Sequence, residues 1–184
     1  HLSPEGNFYI HYDTYPRFDD SGELIDDHSP DLTDIEPLDG VPDYINLVAE
    51  VADSSYKLLI DKMRFKNGSN GDDNITDIYV LDMGGSFYGR AIRIGCDDSC
   101  IEIDNDYEDD SYIVKGIDAM KVTTLHEFFH VVQFDYRCGT GGDGYFYELS
   151  STWIEDLGYP DINDYLNFLN SNSSSNYYKN PSID

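Results

Sequence analysis

The stretch HEFFHVVQF, residues 126–134, decides how this sequence is read. His126 and His130 stand four residues apart, so on a helix both rings leave one face about one turn apart. That spacing lets two imidazole nitrogens reach one ion, with Glu127 beside the first ring, placed to act on a water rather than on the metal. Leu125, Phe129 and Val132 give the same helix a separate apolar face. The histidines are therefore not needed for packing. H-E-x-x-H on a helix predicts a zinc site with Glu127 as general base.

Two histidines do not complete a catalytic zinc site, which takes three protein ligands and keeps one position open. An extended motif with a third histidine would need Gly at 133 and His at 136. The chain has Gln133 and Tyr136 there, which excludes that class. Glu148 and Glu155 lie on the next predicted helix, seven residues apart and so on one face. Asp143 lies on the glycine-rich loop before it. All three are candidates for the remaining ligand.

The surrounding sequence predicts one α+β domain over 1–184, with helices packed on a mixed or antiparallel sheet. Alternation predicts a strand over 7–12, followed by a long polar surface connection over 13–40. Ile45, Val48, Ala52, Tyr56 and Leu59 share one face of a predicted helix over 42–63, with Pro42 in its first turn. Strands are predicted over 75–81, 87–94, 101–104 and 111–114. Asp118 is the expected cap of the histidine helix, 119–136. A further helix over 145–157 stops at Gly158 and Pro160, and Asp161 is expected to cap a short one through Leu169. Residues 170–184 read as a linker or a truncated end.

Charge narrows the functional classes. The chain of 184 residues carries a formal charge of −26, from 37 Asp+Glu against 11 Lys+Arg. Such a surface repels phosphate backbones and argues against a nucleic-acid partner. No apolar run is long enough to span a membrane. The densest acidic stretch, DNDYEDD at 104–110, has Asp109 where an EF-hand loop needs Gly and Lys115 where it needs Glu, so no recognisable calcium motif is present. Cys96 and Cys100 bracket a short turn between two predicted strands and are expected to form a disulfide, which implies an oxidising compartment. Cys138 has no evident partner. The first residue is His1, as expected of a mature or trimmed form.

HEFFHVVQF followed by YFYELSSTWIED (145–156) resembles the gluzincin type of zinc metallopeptidase. It is similar in particular to secreted microbial metallopeptidases that carry H-E-F-F-H, then Q-F, then E-x-x-x-T-W-x-E-D. FYIHYDT near the start, IDNDY before the histidine helix and YPDINDYL after the glutamate helix extend the likeness. The resemblance implies a zincin-like fold, a mixed sheet with an active-site helix followed by a glutamate helix. It implies one Zn2+ per chain on His126, His130 and Glu148, with Glu127 catalytic and Glu155 supporting a ligand from behind. The expected activity is that of a secreted endopeptidase acting on proteins or peptides. The alternative is a non-catalytic zinc- or calcium-binding extracellular module. Relatives of this kind take a transition-state Tyr or His from sequence beyond the point where this chain stops. Tyr88, Tyr145 and Tyr147 are the local candidates for that role.

Overall fold

The computed structural model of the protein describes residues 1–68, 71–137 and 144–166. Strands β1 (Phe8–His11), β2 (Arg17–Phe18) and β3 (Leu24–Asp26) precede helix α1 (Asp43–Tyr56). Strands β4 (Thr76–Leu81), β5 (Gly89–Ile94) and β6 (Asp98–Asp104) follow, then α2 (Gly116–Tyr136) and α3 (Gly144–Gly158). Four strands form a mixed sheet in the order β1-β4-β6-β5. β1, β4 and β6 run parallel, and β5 closes the row antiparallel to β6. The remaining two strands make a small hairpin, β2 with β3.

Period-two alternation decides which face of the sheet is covered. Phe8, Ile10, Ile78, Val80, Ile101 and Ile103 are fully buried and share a core with Ile45, Val48 and Ala52 of α1 and Met120, Leu125 and Phe128 of α2. Tyr9 and Tyr79 point the other way and are exposed. Helices thus pack on one face, as strands with one apolar side require.

α1 runs on into a π-helical segment, Lys57–Lys62, so the predicted helix over 42–63 is present with a change of winding near its end. α2 is buried nearly all round, its polar residues Thr123, Thr124, Glu127, His130 and Gln133 included, as a helix inside the fold rather than on its surface.

Two buried carboxylates pin the loops that lead to the candidate site. Asp53 accepts from Ser3 Oγ at 2.9 Å and from the Glu5 amide at 2.8 Å, fixing the chain start against α1. Asp104 accepts from the amides of Met83, Asp106 and Tyr107 and from the Tyr112 hydroxyl. It therefore ties the approach to β5 to the approach to α2.

Several expectations are corrected. Residues 111–114 are not a strand, because the Ile113 and Val114 amides donate to the Tyr88 hydroxyl at 2.7 and 3.1 Å instead of to a sheet neighbour. α2 begins at Gly116, so Asp118 lies in its first turn rather than at its cap. There its charge still suits the helix N-terminus. The connection over 13–40 contains the β2–β3 hairpin, whose turn is closed by Asp19 accepting from the Ser21 and Glu23 amides. Of the short helix expected after Asp161, only Tyr165 and Leu166 are helical within the described residues. Residues 170–184, expected to be a linker or a truncated end, lie outside them.

The expected Cys96–Cys100 bridge is absent, and Cys100 is a buried free thiol. Ile94 pairs with Asp98 and Ile92 with Cys100, which puts Cys96 at the hairpin tip and Cys100 two residues into β6. At about 3.3 Å per residue of strand, that separation exceeds what a disulfide spans. Cys96 is itself disulfide-bonded, and Cys138 lies outside the described residues.

Candidate metal centre

α2 delivers His126 and His130 from the core, and α3 crosses it to bring Glu148. The ligand atoms of these three residues all lie within 4.8 Å of one another. His126 Nε2 and His130 Nε2 are 3.0 Å apart. Glu148 places one carboxylate oxygen 3.3 Å from His126 Nε2 and the other 3.5 Å from His130 Nε2. Two ligand atoms at zinc distance, held at the tetrahedral angle, stand about 3.3–3.5 Å apart. The two histidine–glutamate separations match that spacing and the histidine pair lies closer, so the three residues form a group that could hold a metal ion.

Each histidine is held from behind through its other ring nitrogen. His126 Nδ1 meets Glu155 Oε1 in a short hydrogen bond, and Glu155 is 6% exposed. Glu155 also hydrogen-bonds Asp164, and burial pushes both carboxyls above their usual range. His130 Nδ1 lies 2.7 Å from Gln133 Oε1, with Ser151 Oγ more distant at 3.4 Å. Such partners fix ring orientation and tautomer at metal sites.

Charge follows the same geometry. Burial alone would lower the His126 pKa, but the hydrogen bonds to Glu148 and Glu155 and the neighbouring Glu127 raise it to about 10. The two histidines hold Glu148 well below the usual carboxylate range. Burial pushes Glu127 up, against the pull of His126 and His130.

Glu127 is 8% exposed and packs against β5 while lining the same cleft as the two histidines. A Cβ added at Gly89 would come within 2.6 Å of Thr123 and 3.2 Å of Glu127 Cγ, so only glycine lets the strand approach this closely. The result is a cleft of about 370 Å³ lined by Phe87, Gly89, Arg90 and Ala91 on one side and by His126, Glu127, His130, Phe134, Tyr147 and Glu148 on the other.

The structure thus brings together His126, Glu127, His130, Glu148 and Glu155. Asp143 lies outside the described residues. Tyr147 lines the cleft. Tyr88 lines a smaller cavity on the Glu155 side, its hydroxyl taken by the Ile113 and Val114 amides. Tyr145 is exposed at the start of α3. In the sequence Gln133 stands out only as a departure from another motif. Its place three residues after His130, on the same helix face, is the signal that it can touch that ring. Comparison of the chain with known protein families, with curated proteins and with solved structures gave no match.

Proposed function

We propose that this protein is a secreted zinc-dependent endopeptidase of zincin-like fold, with the gluzincin arrangement of ligands. The observation that carries this reading is the grouping of His126, His130 and Glu148 in the wall of an open cleft, the three protein ligands that a catalytic zinc site takes. A zinc ion held there supplies a Lewis acid that acidifies water and polarises a carbonyl. Glu127, adjacent in sequence and nearly buried, takes the proton of the attacking water and passes it to the leaving amine nitrogen. Burial raises its pKa, which favours uptake of that proton. Glu155 and Gln133 keep the two imidazoles turned towards the ion.

The cleft favours an extended chain as substrate. Among the described residues β5 is paired with β6 on one side only, and its other edge lies beside Glu127. A peptide added along that edge would form backbone hydrogen bonds and carry a carbonyl past the two histidines. A site that held zinc for structure alone would close all four positions, whereas Glu148 has a side chain 60% exposed at the mouth of the cleft. The disulfide at Cys96 fits an oxidising compartment.

Metal analysis and a peptidase assay on an unfolded protein substrate test the reading together. About one zinc per chain is expected, with activity abolished by chelation and restored by zinc. Glu127→Gln should keep the ion and lose turnover by about 10²–10⁴-fold. Undiminished cleavage by that variant would remove Glu127 from the mechanism.

A further inference from the structure

We propose that Gln133 is a positioning residue that sets His130 for the ion and docks the helix carrying Glu148, a role that rests on the zinc-site reading above. Its side chain is buried between α2 and α3. The amide oxygen lies 2.7 Å from His130 Nδ1. The amide nitrogen lies 3.2 Å from the Tyr147 backbone oxygen and 2.9 Å from Ser150 Oγ.

The two ends of this amide are not interchangeable. A backbone carbonyl only accepts, so Tyr147 demands the N–H end. Ser150 already donates its hydroxyl proton to the Phe146 carbonyl at 2.6 Å, so it too accepts from Gln133. The amide oxygen is thereby turned to His130, where it can only accept, and Nδ1 must carry the proton. A neutral His130 then keeps its lone pair on Nε2, the atom that faces His126 and Glu148. One side chain selects the ligating nitrogen and clamps α3 at residues on either side of Glu148.

Few residues could do both tasks. Glutamate would still accept from Nδ1 but would set a carboxylate against the Tyr147 carbonyl. Leucine fills similar space and offers neither contact. The pair Gln133→Glu and Gln133→Leu therefore separates the tautomer function from the clamp.

Three measurements decide the matter: zinc affinity by chelator competition, the His130 ring ¹⁵N shifts, and hydrogen exchange of the α3 amides. The last two are made on metal-free protein. Gln133→Leu is expected to weaken zinc by about 10–100-fold, to lose the single Nδ1–H tautomer and to speed α3 exchange. Gln133→Glu should keep the tautomer and still speed α3 exchange. Wild-type affinity, tautomer and exchange in Gln133→Leu would overturn the inference. If that variant does not fold, unchanged α3 exchange in Gln133→Glu overturns the clamp instead. Failure of the parent protein to bind zinc would sink the proposed activity. The shifts and exchange rates would still decide what Gln133 does.

Discussion

α2 and α3 each contribute to the same centre, yet they are held in opposite ways. Thirteen of the 21 residues of α2 are buried, and its two histidines are presented from inside the core. α3 buries only Ser151, Ile154 and Glu155 of its 15. It leaves Phe146, Leu149, Trp153 and Leu157 exposed. What fastens α3 is largely polar: Glu148 and Glu155 to the histidines, and the Tyr147 carbonyl and Ser150 to Gln133. A closer apolar contact occurs at its end, where a Cβ on Gly158 would collide with Leu125. Two of the candidate ligands are thus fixed by folding, and the third depends on interactions that the site itself supplies.

The largest expected break comes from Glu148→Ala. It should lose zinc outright while α1, α2 and the sheet stay folded, because Glu148 adds a ligand and almost no core. Metal analysis beside circular dichroism checks this, and a variant that keeps stoichiometric zinc would move the third ligand elsewhere. Next comes a matched pair of truncations in the metal-free protein, followed by denaturant unfolding. Phe128→Ala, from the buried centre of α2, should cost about 3–5 kcal/mol. Leu149→Ala, from the open face of α3, should stay within about 0.5 kcal/mol. Equal costs would erase the contrast between the helices.

Smaller effects sharpen it. Glu155→Ala should retain zinc with affinity lowered about 10–100-fold, since the residue orients His126 without touching the ion. The smallest concerns acidity. His126 holds its second proton up to about pH 10 in the metal-free state, so at neutral pH zinc must displace one proton from Nε2. Apparent zinc affinity should therefore rise about tenfold per pH unit between roughly pH 6 and pH 8. Calorimetry in buffers of different ionisation enthalpy should count about one proton released per ion. No proton release would mean that His126 is already neutral.

The parts legible from sequence are those written in a simple period. Alternation marked β1 and β4, and the i, i+4 histidines marked α2 and half of the centre. Glu148 and Glu155 are separable in the sequence only through the family resemblance, because seven residues put both on one helix face; the structure places Glu148 near the two Nε2 atoms and Glu155 at His126 Nδ1. What was misread depends on partners distant in sequence. Ser111–Val114 has the composition of a strand, yet its first two amides donate to Asp109 and its last two to the Tyr88 hydroxyl. Cys96 and Cys100 look bridgeable until the hairpin register stretches them apart. Gln133 became visible only when α3 supplied the acceptors that fix which way its amide points.

Trp153 is the chain's only tryptophan, and it sits on the open side of α3, 52% exposed. Its fluorescence therefore reports on the loosely fastened half of the centre alone, without a label. The emission maximum and acrylamide quenching follow whether that helix is seated, while excitation at the red edge of the absorption band selects indole over the tyrosine-rich remainder. A zinc titration watched in this way would show the third ligand arriving.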